Sequence, residues 1–433
     1  MKRFALIAGA LAISSVAAAS DTEFKHDGEF RVRYYNDMTP SGVKEKPLNR
    51  ADSEGRFKVG MTARKGEKLQ ARLGLLHGTI FGNDKRASTS VAGTGYNTNS
   101  TDNILLVNEA YGWWKASDAL ALKVGRFHVN IADGAVFSSD DWLVVPHTHE
   151  GLQASYEMDA MNLNFYAIKY LDNNTNAGNP DSDPEVNNYI LSLDFKNLPE
   201  ALKTANLHVL NVKRQETAAY GLSDAMHVGL TVGGDVSNVM YNFTMAMQSG
   251  SINKTAAADQ KLAGNMFDLM VGYSMPETMG LKVWANYHMD SGDDQAGDDK
   301  TETYQSLYYD SHKYAGLMDI IGWGNLTQMS VGADVMPSED MTAGVALHMF
   351  SKTKENAATT TGTRPNGQAI TGALAAKKDL GMELDVYASK KYDSNFSIDA
   401  HLGAFMPGAA FKDATVKKEA TIMQAMVMGK MSF

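Results

Sequence analysis

Two histidine–aspartate pairs, His288 with Asp290 and His401 with Asp399, have a spacing that could do chemistry, because a carboxylate beside an imidazole can hold it ready as a general base. No serine nucleophile stands next to either pair in the sequence, and residues two apart on a strand share a face for purely geometric reasons. The run Asp290-Ser-Gly-Asp-Asp-Gln-Ala-Gly-Asp-Asp299 is rich enough in oxygen to attract calcium, yet it departs from the EF-hand spacing and reads as a solvated loop. Without a glycine-rich phosphate loop, zinc spacing or triad signature, the chain reads as no enzyme, with no cofactor and no metal site. The other charged candidates are Arg31, Arg33, Arg56, Lys58, Arg72 and Arg126, with Glu383 and Asp385 in the second half. Their task would be electrostatic.

The elements that must carry these residues are strands. Arg56 to Arg64 puts Phe57, Val59, Met61 and Ala63 on one face and Arg56, Lys58, Gly60, Thr62 and Arg64 on the other, and Asn238 to Gln248, Leu281 to Met289 and Phe396 to Ala404 repeat the alternation. At about nine to eleven residues these runs have the length that crosses a bilayer at a tilt. Eighteen such segments are expected: 28–36, 55–64, 68–77, 105–115, 119–128, 150–158, 161–170, 187–196 and 204–213 in the first half. In the second half they are 225–234, 238–248, 265–275, 280–290, 326–336, 341–350, 380–391, 395–406 and 421–433. The connections alternate between tight turns, such as Lys65-Gly66-Glu67 and Asp159-Ala160, and long stretches at 79–103, 129–149, 291–325 and 351–379. The fold class expected is therefore all-β, a transmembrane antiparallel up-and-down β-barrel of about 18 strands with no plug domain.

Charge sets the facing. An arginine on the lipid side near the bilayer midplane costs roughly 2–4 kcal/mol. Arg31, Arg33, Arg56, Lys58 and Arg72 should therefore point into a wet lumen, and Phe30, Val32, Tyr34, Phe57, Val59, Leu69, Ala71 and Leu73 toward lipid. Methionine at the outward positions Met61, Met245, Met247, Met289 and Met349 reads as lipid-facing filler. Asp268, Asp334, Glu383, Asp385 and Asp399 share the lumen parity on the opposite wall, which gives a transverse field.

The ends of the chain agree with export to a membrane. Lys2 and Arg3, an apolar run from Phe4 to Ile13 and small residues through Ser20 form a secretory signal over residues 1–19, leaving one barrel domain at 20–433. The formal net charge of −10 excludes a nucleic-acid partner, and zero cysteines exclude a disulfide framework. The last residue, Phe433, ends a strand with one apolar face, as in the terminal recognition strand of outer-membrane barrels, so Phe433 is expected to serve membrane assembly. The partners expected are outer-membrane lipid and lipopolysaccharide, the barrel assembly machinery, and a permeant small molecule or polyanion.

Leu122-Lys-Val-Gly-Arg-Phe127, followed by Asp133-Gly134 and Asp140-Asp-Trp142, resembles the strand, loop and Asp-Trp segment of alginate-export-type outer-membrane porins. Ser311-His-Lys-Tyr-Ala-Gly-Leu-Met-Asp319, Gly381-Met-Glu-Leu-Asp385 and Phe405-Met-Pro-Gly408 fit the same family in order and spacing. The resemblance implies an eighteen-stranded barrel whose arginine-rich lumen passes an anionic polysaccharide, and it matches Arg126 to a lumen arginine. Arg126 shares parity with Val124 rather than Lys123, so a bulge or a rim position is needed to turn it inward. The chain departs from the family in arginine distribution, with only Arg214 and Arg364 beyond Arg126. The reading is an outer-membrane porin for passive diffusion of small solutes or anionic saccharides. The alternative is a surface or structural barrel whose long loops occlude the lumen.

Overall fold

The computed structural model describes residues 22–39, 41–43, 49–81, 104–172, 185–214, 222–255, 258–295, 298–355, 374–414 and 417–433. The expected signal segment, most of the 79–103 and 351–379 connections, and Arg364 lie outside the described residues.

Twenty strands form one sheet. They are β1 Thr22–Met38, β2 Asn49–Lys65, β3 Leu69–Ile80, β4 Ile104–Lys115, β5 Leu120–Phe127, β6 His149–Glu157 and β7 Met161–Asp172. There follow β8 Glu185–Phe195, β9 Thr204–Arg214, β10 Leu222–Val236, β11 Val239–Thr255, β12 Ala258–Leu262, β13 Asn265–Met275 and β14 Leu281–Asp290. The last six are β15 Lys300–Thr301, β16 Leu326–Ser338, β17 Met341–Lys352, β18 Asp379–Lys391, β19 Phe396–Pro407 and β20 Ile422–Ser432. The short strands β12 and β15 pair with each other in parallel, and β11 and β14 bypass them to pair with β13 and β16. That leaves eighteen antiparallel strands in ring order, closed where β1 pairs with β20 from Glu29 opposite Ser432 to Met38 opposite Met423. Closure satisfies every edge, which is what a sheet in lipid requires.

All eighteen expected segments are strands, but β1, β2 and β11 reach 17 residues. The expected spans stop where apolar alternation stops, whereas backbone pairing continues through polar ends such as Asp52 and Glu54. Among the described residues helix is confined to single turns: Ala132–Gly134, α1 Ser311–Tyr314 and α2 Ala409–Lys412.

The barrel is inside-out relative to a water-soluble protein. Phe30, Tyr34, Phe57, Leu69, Leu73, Trp114, Leu191, Leu207, Val228, Leu402 and Val427 are exposed on the outer face. Arg31, Arg33, Glu54, Arg56, Asn188, His208, His227, Gln248 and Gln328 are buried on the inner one. So broad an exposed apolar surface is of the kind that takes part in an interaction rather than facing water. The apolar core lies within the barrel, where Val129, Ile131, Phe137, Met318, Ile321 and Trp323 of two inward-folded connections meet Ile168, Ile190, Leu210, Phe350 and Phe405 of the wall.

Candidate functional site

Two connections cross the lumen, residues 128–148 after β5 and 302–325 before β16. Each is a stretch of irregular backbone, and irregular backbone at membrane depth survives only where protein or a wet cavity satisfies it. They satisfy each other: the Ser138 N–H donates to the Tyr308 carbonyl at 2.5 Å and the Asp310 N–H to the Gly134 carbonyl at 2.9 Å. Lys313 Nζ reaches Asp133 Oδ2 at 2.5 Å, Trp142 Nε1 donates to Asp319 Oδ2 at 3.2 Å, and the Trp142 and His312 rings stack with centroids 3.6 Å apart. Asp310 caps α1 by accepting the Lys313 N–H. The outcome is a two-loop constriction in which Asp133, Asp140, Trp142, His312 and Asp319 converge.

The amino-terminal wall holds the first loop with guanidinium groups. Arg31 donates at 2.9 Å to each of the carbonyls of Asp141, Trp142 and Leu143. Arg56 donates to the Asp141 and Leu143 carbonyls at 2.7 and 2.9 Å, to Glu29 Oε1 at 2.8 Å and to Asp141 Oδ2 at 3.0 Å. Arg33 pairs with Glu54 and lies over the Trp142 ring at 4.3 Å. Arg31 and Arg56 are directly opposite in register, a repulsive arrangement on its own, so these acceptors also neutralise a like-charge pair. Burial raises the Asp141 carboxyl, but Arg56 and Lys58, whose Nζ is 2.6 Å away, outweigh it and hold the group down at about 2. Asp140 next to it goes the other way, pushed up to about 7 by burial and by Asp310 and Asp319.

The carboxyl-terminal wall holds the second loop with carboxylates. Asp290 accepts the Gly324 N–H at 2.8 Å and the Leu326 N–H, while Glu383 accepts the Met318 N–H at 2.9 Å. Gly316 has φ +91, and a Cβ there would meet Glu383 Oε1 at 2.4 Å, so only glycine lets this loop descend onto that wall. Asp385 is held between His401 Nε2 at 2.8 Å and His348 Nε2 at 3.4 Å, and Ser330 Oγ braces the His348 Nδ1 at 2.7 Å.

Several expected placements change. Arg126 is not in the lumen: it alternates with the buried, inward Phe127, shares the outer face with exposed Val124, and pairs across the strands with Glu150 at 3.1 Å. The bulge that would have turned it lies elsewhere, at the Gly74/Leu75 shift between β3 and β4. Glu383 and Asp385 point inward but are sealed beneath the second loop at 0% exposure, so they do not line open water. His401 bonds Asp385 on the neighbouring strand, not Asp399 on its own, and His288 sits between Asp268 at 3.4 Å and Asp290 at 3.2 Å, stacked on Trp323. Those imidazoles brace loops. In the acidic run, Asp293 and Asp298 close local turns onto Gln295 and Lys300, and Asp294 and Asp299 face Lys354 and Lys261. Arg72 bridges Asp27 and Glu109, each at 2.7 Å. Phe433 exchanges both backbone hydrogen bonds with Gly28 and lies near the Phe57 ring at 6.2 Å, on the seam between the chain ends.

Cavities lie between the wall and the constriction. One of about 610 Å³ runs from Asn130–Asp133 to the short-turn ends of β8–β11, and two of about 420 and 390 Å³ share Trp284, Lys313 and His348 beneath α1. Sequence reasoning missed Asp141, Leu143, Asp319, Trp323 and His348 as members of this site. Asp140-Asp-Trp142 was visible only through a family motif, because its partners are 83 to 177 residues away.

A family model described as alginate export matches residues 94–423. The outer membrane protein OpdK of Pseudomonas aeruginosa is 13% identical, with 95% of this chain and 98% of that chain covered at a TM-score of 0.61. A structure of OpdK with vanillate is also 13% identical, covering 95% of this chain and 99% of that one at 0.60. Pseudomonas aeruginosa OccK11 (OpdR) is 11% identical over 95% and 96%, at 0.59. At these identities the likeness is one of fold. No curated protein matches the chain.

Proposed function

The chain belongs to the alginate export family, and on that premise we propose that it is a passive outer-membrane channel for small polar solutes, without catalysis. The observation that carries the reading is the two-loop constriction: a barrel wide enough to hold water is narrowed from the inside by loops fixed at defined positions on two separate stretches of the wall. The apolar outer belt supports an outer-membrane location, and the Phe433 seam supports a role for that residue in assembly by the barrel machinery. Reconstitution into planar bilayers tests the reading, with discrete conductance steps as the expected result.

A second reading, a barrel whose lumen is shut by its loops, is favoured by the direct contact between residues 128–148 and 302–325. A folded barrel that never conducts would select it. An anionic saccharide is the finer solute expected from the family. The use of Arg31 and Arg56 to anchor a loop weighs against it, since guanidinium groups already bound to carbonyls and carboxylates have little left to offer a polyanion.

A further inference from the structure

We infer that the solutes this conduit selects are small cations bearing an ammonium group, an inference that rests on the channel reading above and reverses the charge of the solute expected from the family. The lining charges carry it. The three cavities of about 610, 420 and 390 Å³ form a linked series, the first two sharing Met240, Asn242 and Met270. Along the series stand Asp133, Asp194, Asp235, Asp268, Asp334 and Asp399. Against them are Lys203, Lys282 and Lys313, of which Lys203 lies 3.8 Å from Asp235 and Lys313 is tied to Asp133. A further cavity of about 460 Å³ on the amino-terminal wall has Asp27, Glu29, Glu109 and Asp141 against Lys58 and Arg72. Over the linked series six carboxylates stand against three ammonium groups, with the excess in the 610 Å³ cavity, where Asp133, Asp194 and Asp235 face Lys203; the 420 and 390 Å³ cavities are balanced, and the amino-terminal cavity holds four carboxylates against two cations.

How these carboxylates are held matters as much as their number. Asp194 accepts from the amides of Asn164 at 3.0 Å and Asn206 at 2.6 Å, and Asp268 from Asn286 at 3.0 Å. Asp334 accepts from Trp284 Nε1 at 3.0 Å and Tyr387 OH at 2.5 Å. At Asp194 and Asp334 the donors are neutral and orient the carboxylate without cancelling its charge, whereas Asp268 also faces the His288 imidazole at 3.4 Å; the field of the first two remains available to a passing ion, and low-dielectric walls focus it.

A second, independent observation identifies the guest as a donor. Gln328 lines the 420 Å³ cavity at 1% exposure; its amide nitrogen is committed to the Tyr314 carbonyl and Ser330 Oγ, while its Oε1 has no partner. Trp142, Trp284, Tyr314 and Tyr387 line the same pair of cavities, and aromatic faces beside carboxylates attract ammonium groups in particular.

The test uses the folded barrel in planar bilayers under a potassium chloride gradient. The reversal potential should report potassium over chloride by about threefold or more, and Asp194→Asn, Asp268→Asn and Asp334→Asn together should at least halve that ratio. 1,4-Diaminobutane should block the current at concentrations where succinate, a dicarboxylate with the same number of carbons, does not. Calorimetry of the barrel in detergent with the same two probes reads the preference without any current, and Asp334→Asn alone serves if the triple variant does not fold. Chloride preference, or equal or stronger action of the dicarboxylate, overturns the inference. A folded barrel without conductance overturns the channel reading instead, and calorimetry then still decides the charge of the guest.

Discussion

The two walls that hold the constriction use opposite chemistry for one task. On the amino-terminal side, Arg31 and Arg56 in β1 and β2 present donors to loop carbonyls. On the carboxyl-terminal side, Asp290 and Glu383 at β14 and β18 present acceptors to loop N–H groups. The difference follows from what each loop exposes: residues 141–143 turn their carbonyls to the wall, whereas 318, 324 and 326 turn their amides. A guanidinium keeps its charge at every accessible pH, and carboxylates and imidazoles do not. One anchor is therefore a permanent cation and the other a set of acceptors.

The largest effect should come from breaking the permanent anchor. Arg56→Ala leaves Glu29 and the Asp141 carboxylate without their guanidinium in a buried site and the Asp141 and Leu143 carbonyls with Arg31 alone, and should cost about 3–5 kcal/mol in urea unfolding of the barrel in vesicles, together with a larger or noisier conductance. A neutral outcome would mean that the first loop is held by apolar packing alone. The contrast also depends on which face each residue occupies. Phe57→Arg should cost roughly 2–4 kcal/mol and Lys58→Gln under about 1 kcal/mol; equal costs would overturn the facing of β2. On the other wall, Glu383→Ala removes the acceptor of the Met318 N–H and should cost about 1–3 kcal/mol, read as faster proteolysis near residue 318, with Glu383→Gln recovering most of the loss.

The smallest expected effect is a pH dependence at the seam. The Asp140 carboxyl, ordinarily near 3.8, is raised to about 7 in the closed constriction by burial and by Asp310 and Asp319. Between those values an opened loop binds fewer protons at this group than the closed one. The closed arrangement is therefore favoured most in acid and loses stability as pH rises from about 4 to about 7. Asp141, lowered to about 2, makes the opposite contribution, present above its ordinary 3.8 and lost as pH falls through about 2. Conductance should thus rise from pH 5 to pH 7.5, and Asp140→Asn should flatten that rise. An unchanged profile in that variant would mean that Asp140 does not set the dependence.

Period-2 alternation with charged residues on one side determined the strands, their number, their facing and the closed barrel, because a lipid belt punishes any error in phase at every second residue. Phe57 and Lys58 could be assigned from sequence for that reason. The constriction could not. Arg31, Arg33 and Arg56 read as lumen charge free to meet a solute, and only the tertiary structure placed the Asp141–Leu143 carbonyls against Arg31 and Arg56 and Trp142 against Arg33. It likewise buried Glu383 under Met318 and left Arg126 on the outer face that its period-2 parity gives, without the bulge the family match called for. Strand facing is a local property, repeated every two residues along the chain. Loop docking joins residues separated by about a hundred positions, such as Arg31 and Asp141, and is decided by the complementarity of backbone donors and acceptors once the barrel has brought them together.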